Sequence, residues 1–365
     1  MNEEQPINEG HFELLKKLRP GKIVLPILIG LGVVVWFIAK DINLKTLHEI
    51  TFSWRSVFWL AVAVMFIFMR TFCYMARIKV LSDDKLSWLQ SFRIIMLWEF
   101  TSAITPSTVG GTAFAVIFLH KEGISTGRST SVVLVTSFLD ELYFVVMFPL
   151  VVLITGWESI FVTSLQGTGK VFMDNLVFVA IAGYLIILAW VVIVGYGLFF
   201  RPEAIKKAII GIFRLPFLRK WQNSASKAGD DIVLTSGELK EKSYSFWGKS
   251  LFYTFVTWTA RYLLVNAILL AFFRISDHLL IFSRQLVLWI MMIISPTPGG
   301  AGFAEVILGR YLSDLIPVDE IHANGVSLAM AVIWRVISYY PFLIAGVLIL
   351  PAWIGRKFVR HGTKR

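Results

Sequence analysis

The sequence predicts an all-α polytopic membrane protein, with six full transmembrane helices and two oppositely oriented re-entrant hairpins arranged as an inverted repeat. Three observations lead there. Of the 365 residues, 56% are hydrophobic and 15% aromatic, with a mean hydropathy of +0.71, which is too apolar for a soluble domain. A proline- and glycine-rich break occurs twice inside apolar runs, as Thr105-Pro106-Ser107-Thr108-Val109-Gly110-Gly111 and as Ser295-Pro296-Thr297-Pro298-Gly299-Gly300-Ala301-Gly302. The flanks repeat as well: Arg93, Leu97-Trp98 and Ile104 answer Arg284, Leu288-Trp289 and Ile294, and Phe114-Ala115 answers Phe303-Ala304. An internal repeat of interrupted hydrophobic segments is the pattern of transport-type folds. The third observation is where the positive charge falls.

In chain order, residues 1–22 carry four acidic and four basic residues ahead of the first apolar run, with no signal-peptide cleavage pattern. They are read as a retained cytoplasmic segment. Residues 23–355 form a single transmembrane domain. Ile23–Ala39 and Trp54–Met69 supply two spans of the length a bilayer requires. The first hairpin occupies about 87–121, spans follow at Ser129–Thr155 and Val171–Phe200, and 201–249 is a polar cytoplasmic insert. Phe246–Phe273 spans again, the second hairpin occupies about 279–312, Ala323–Ala352 is the last span, and 356–365 is a basic tail.

Charge decides how the broken segments run. If both crossed the membrane, the insert with its ten lysines and arginines would lie outside, against the positive-inside rule. If both turn back, 26 basic residues fall on the cytoplasmic side and 7 outside. Ten or eleven residues from Arg93 or Arg284 to each break rise ~15–17 Å, about half of a ~30 Å hydrocarbon core. Three full spans separate the hairpins, so they enter from opposite faces. Both termini are then cytoplasmic. Within the insert, Ile205, Ile209, Ile212 and Phe213 share a helical face and Lys206, Lys207 and Arg214 lie elsewhere. That suits a helix on an anionic leaflet or a solvated connector equally.

The breaks are the candidate substrate-binding site. Pro106, Gly110, Gly111, Pro296, Pro298, Gly299, Gly300 and Gly302 free the backbone from the helix, and Thr105, Ser107, Thr108, Ser295 and Thr297 add hydroxyls at that level. Freed amides in hydrocarbon need protein, water or ligand. Two opposed helix N-termini suit a phosphate or carboxylate. The alternative is a structural break capped by its own hydroxyls. Six charges fall inside predicted spans or hairpins: Glu99, Asp140, Glu141, Arg261, Glu305 and Arg335. Each costs roughly 2.5–3.5 kcal/mol near the bilayer centre when unpaired. Pairing the two arginines with two of the four acids leaves two carboxylates over. These either couple transport to protons, bind a cationic headgroup, or join structural pairs.

Other chemistries are not expected. The single cysteine, Cys73, excludes an intrachain disulfide, and the six histidines include no i, i+4 pair, so no metal or cofactor is expected. No hydrolase elbow and no phosphate-binding loop are present, so the chain is not read as an enzyme. The net charge of +11 suits a cytoplasmic membrane face, not nucleic acid. Oligomeric state is left open.

Pro106-Ser107-Thr108-Val109-Gly110-Gly111, Ser137-Phe138-Leu139-Asp140, Pro296 through Glu305 and Trp334-Arg335-Val336-Ile337-Ser338 resemble the lysylphosphatidylglycerol synthase transmembrane-region family, also called flippase-like or UPF0104, over roughly residues 20–355. The resemblance implies a lipid-translocating protein of the plasma (inner) membrane, whose partner is a membrane lipid with an anionic or aminoacylated headgroup. It does not imply lysyl transfer, because the soluble aminoacyl-transferase domain has no counterpart here. Arginines that many members carry beside the first glycine pair and the aspartate are replaced by Thr112-Ala113-Phe114-Ala115 and Ser137-Phe138-Leu139. The expectation is a flippase or lipid transporter holding a polar headgroup at the hairpin tips near the midplane. The alternatives are a proton- or ion-coupled transporter of a small solute and a non-transporting partner of an envelope enzyme.

Overall fold

The computed structural model describes residues 52–105, 110–161, 169–214, 219, 222–292, 300, 303–318 and 320–356. Among them every regular element is helical. Five helices are long and apolar enough to cross a membrane: Trp54–Leu81, Thr126–Thr155, Val177–Phe199, Tyr244–Phe272 and Gly325–Ile354. Large apolar side chains such as Phe58, Met65, Phe68, Phe178, Leu185 and Ile193 point outward on two of them. Such a surface suits lipid, not water. The expected span Ile23–Ala39 lies outside the described residues.

Helix α1 (Trp54–Leu81) opens on a reciprocal Ser53–Ser56 capping box and ends where Asp83 and Asp84 take positive φ. It continues about three turns beyond Met69, where a cytoplasmic segment was expected to begin. Arg70 and Arg77 therefore sit inside the helix, 2% and 1% exposed. A charge ends an apolar run only while it stays unpaired, and both guanidiniums meet carboxylates on neighbouring helices.

Helix α1 packs most extensively along α9 (Tyr244–Phe272). Arg55 Nη2 donates to the Phe273 carbonyl at 2.7 Å and Ser56 Oγ to the Ala271 carbonyl at 2.8 Å. At the other end, Arg77 Nη1 donates to Thr254 Oγ1 at 2.8 Å. The start of one helix thus meets the end of the other, and the pair is antiparallel. The segments that follow α1 and α9 begin from opposite ends of it.

Each of those segments is two short helices. Helix α2 (Trp88–Ile104) stops at Thr105, which is extended, and α3 (Gly110–Lys121) starts at the glycine pair. Gln90 Nε2, near the start of α2, donates to Glu122 Oε2 at 3.0 Å just beyond α3, so the arms run antiparallel. A Cβ on Gly111 would lie 1.9 Å from Ser102 Oγ, so only glycine allows α3 to close on α2. After α9, α10 (His278–Met292) and α11 (Phe303–Leu312) repeat the arrangement. Arg284 of α10 reaches the Tyr311 carbonyl at 2.7 Å and Asp314 at 2.5 Å.

Between the two segments lie α4 (Thr126–Thr155), the short α5 (Trp157–Phe161) and α6 (Gly169–Phe199). The insert follows as α7 (Pro202–Ile212) and α8 (Gln222–Lys240). These two helices pack on each other and back onto α4 and α6, burying Ile232 and Leu239. Lys206 pairs with Asp230 at 2.6 Å. Arg128, at the start of α4, ties Glu238 of α8 to Asp83 after α1. Ile205 packs against Gly197 while Ile212 stays 56% exposed, so only part of the predicted apolar face is covered. The last span is divided: α12 (Glu320–Ser338) gives way at Tyr339 to α13 (Tyr340–Ile354), because Pro341 in its first turn carries no amide to donate.

Candidate functional site at the two helix breaks

The joint between α12 and α13 reaches both breaks. Arg335 Nη2 donates to the Gly300 carbonyl at 3.2 Å, at the second break. Tyr339, one turn later, donates its hydroxyl to the Ala103 carbonyl at 2.9 Å, two residues before the first break. Gly300 itself has φ +68, and a Cβ there would lie 2.3 Å from Met292 Cε and 3.7 Å from Arg335 Nη2. That left-handed conformation favours glycine, and a side chain there would also have to displace the Met292 methyl. Thr105 donates its hydroxyl back to the Thr101 carbonyl at 2.7 Å, closing α2. Pro106, Ser107, Thr108, Ser295, Pro296, Thr297, Pro298, Gly299 and Gly302 lie outside the described residues.

The charges gather in three ion pairs. Arg335 Nε lies 2.8 Å from Glu305 Oε1, with both side chains nearly fully buried. Arg70 donates to Glu99 at 2.5 Å and stacks 5.0 Å from the Phe342 ring. Arg77 grips Asp140 through two bonds of 2.6 and 3.1 Å, and Trp258 Nε1 adds a third at 2.7 Å. Among the described residues, Glu141 and Arg261 form no ion pair. Glu141 keeps Oε2 buried without a partner, and Arg261 lies over the rings of Trp289 at 4.4 Å and Trp258 at 5.3 Å.

This corrects the expected pairing. Arg335 does take one of the four acids, Glu305, but Arg261 takes none. Glu99 and Asp140 pair with Arg70 and Arg77, arginines that the sequence reading assigned to a cytoplasmic segment. The formal charge of the layer is therefore not −2. Four arginines face four acids, leaving one unpaired group of each sign. Two residues missed on sequence grounds, Arg70 and Arg77, are seven apart and so share a helical face, a signal that a hydropathy reading passes over. Tyr339 carried none.

Three of the motif residues that prompted the family resemblance, Asp140, Glu305 and Arg335, are thus members of buried ion pairs. Residues 23–346 match the family described as lysylphosphatidylglycerol synthase TM region. The chain belongs to that family. A UPF0104 membrane protein of Archaeoglobus fulgidus is 25% identical over 347 residues, covering 91% of this chain and 99% of that relative. No solved structure matches the chain.

In this lysylphosphatidylglycerol synthase TM-region protein, Arg335 and Tyr339 bond backbone carbonyls at or beside both breaks. Helix interruptions within a bilayer persist only where protein or a wet cavity satisfies them. The described residues contain no cluster of metal-ligating side chains. What the arrangement offers is hydrogen-bond donors, acceptors and two unpaired charges in a setting of low dielectric, where polar recognition is strong.

Proposed function

We propose that this family member is a lipid transporter of the flippase kind. A polar headgroup is held where the two helix breaks meet near the bilayer midplane, while the acyl chains stay in lipid. The observation that carries the reading is the α12–α13 joint, whose single turn bonds Gly300 at one break and Ala103 at the other. The topology that goes with it has six spans and two re-entrant hairpins in an inverted repeat, in the plasma membrane, with both termini cytoplasmic. Support comes from the antiparallel arms of α2–α3 and α10–α11, each tied by a side-chain bond from its first helix to the end of its second. Further support comes from the antiparallel α1–α9 pair, which starts the two segments from opposite ends. Inverted repeats with broken helices meeting at mid-depth are the architecture of alternating-access carriers. The chain moves its ligand without altering it; the partner is a membrane lipid.

The reading is tested on protein purified in mild detergent, with mass spectrometry of the lipid that stays bound. One lipid class enriched over the bulk, and lost in Gly300→Leu, is the expected outcome; bulk lipid only, unchanged by the substitution, would exclude a headgroup site at the breaks. Topology is tested separately. With buried Cys73 replaced, a cysteine at exposed Glu158 is expected to react with an impermeant thiol reagent from outside intact cells. One at exposed Lys207 should react only after lysis. The reverse pattern would remove the inverted topology.

A further inference from the structure

Of the four arginines Arg70, Arg77, Arg261 and Arg335, three have carboxylates: Arg70 with Glu99, Arg77 with Asp140, and Arg335 with Glu305. Arg261, near the middle of α9, has neither an ion pair nor a hydrogen bond among the described residues. Its surroundings do not neutralise it. The faces of Trp289 and Trp258 contribute about 0.5–2 kcal/mol as cation–π partners, short of the ~2.5–3.5 kcal/mol an unpaired arginine costs at that depth. The charges that act on it are Arg70, which repels, and Glu99, which is already committed to Arg70 at 2.5 Å. The local group is two cations sharing one carboxylate.

The repeat explains how this arises. The spacing that relates Arg93 to Arg284 and Trp98 to Trp289 also relates Arg70 to Arg261, and it relates Glu99 to Ile290. In the first copy the arginine receives a carboxylate from the next helix. In the second copy that position is a fully buried isoleucine, and the arginine stacks on the neighbouring Trp289. Stacking occupies the face of a guanidinium and leaves its edge, with the N–H donors, free for a planar or tetrahedral oxyanion.

We propose that Arg261, on its Trp258 and Trp289 platform, is the receptor for a phosphate group, and that the ligand supplies the anion which Glu99 supplies in the first repeat. The receptor stands on this charge geometry. It rests on the transporter reading only for the source of the phosphate, a lipid headgroup.

The test is equilibrium binding to the full chain in a neutral sugar detergent. The probes are short-chain phosphatidylglycerol, glycerol 3-phosphate and inorganic phosphate, with diacylglycerol as the phosphate-free control. Phosphatidylglycerol is expected to bind the parent protein and diacylglycerol not. Arg261→Gln should weaken binding at least about tenfold, as expected for the loss of one charge-assisted contact. Arg261→Gln leaves Glu99 its ion pair with Arg70, so its unfolding temperature should match the parent's. Should it unfold, Arg261→Lys, which keeps the charge but not the fork, decides by the same readout, with intermediate affinity expected. If the soluble phosphates bind in an Arg261-dependent way and phosphatidylglycerol does not, the receptor stands and the lipid-transporter reading falls. If Arg261→Gln binds every phosphate probe as the parent does, or phosphatidylglycerol and diacylglycerol bind alike, the receptor is overturned.

Discussion

Asp140→Ala is expected to destabilise the protein by about 3–5 kcal/mol, the cost of removing one partner of a buried charge pair. Asp140 accepts both arms of Arg77 and the indole N–H of Trp258. Without it, a guanidinium 1% exposed keeps the Thr254 hydroxyl and the Tyr74 ring but no carboxylate, and the indole loses its acceptor. The measurement is thermal unfolding in detergent, and it has an internal control. Arg77→Met in the Asp140→Ala background should recover much of the loss, because a buried pair is nearly break-even against apolar side chains of similar volume. The adjacent Glu141→Gln should leave stability unchanged or raise it, since the amide keeps the shape of a carboxylate whose Oε2 is buried without a partner. Similar losses at 140 and 141 would sink the assignment of Asp140 as structural and Glu141 as free.

The second large effect is expected at Glu305 and Arg335, where stability and function should separate. Arg335→Met leaves Glu305 buried alone and takes the donor from the Gly300 carbonyl. A stability loss of about 3–5 kcal/mol is expected, along with loss of the lipid retained by the parent. In Glu305→Leu/Arg335→Met the uncompensated charge is gone, so most of the stability should return. The bond to Gly300 is still missing, so lipid retention should not return. A double-mutant cycle on unfolding temperature and on bound lipid tests this. Joint recovery of both would mean that Arg335 acts at the break only through its ion pair.

The breaks were legible in the sequence because proline and glycine have no other use inside an apolar run, and α2, α3, α10 and α11 end and begin around them. The choice of ion-pair partners was not. Arg77 and Asp140 lie 63 residues apart, and Tyr339 and Ala103 lie 236 apart. No local pattern selects among acids at such separations. Hydropathy also ended the second span just before Arg70, since a window registers a charge but not the carboxylate that neutralises it in the fold. The divided last helix was readable in principle, as Pro341 cannot donate within a helix. The layer was therefore foreseen as charged and left with the wrong balance, because half of its cations were read as cytoplasmic.

The α1–α9 pair carries a mechanical consequence. Side chains fasten it near both tips, with Arg55 and Ser56 on carbonyls at one end and Arg77 on Thr254 at the other. A rod pinned twice can neither slide nor pivot on its neighbour without releasing a fastening. The pair is a chassis, and whatever travels in this protein travels relative to it.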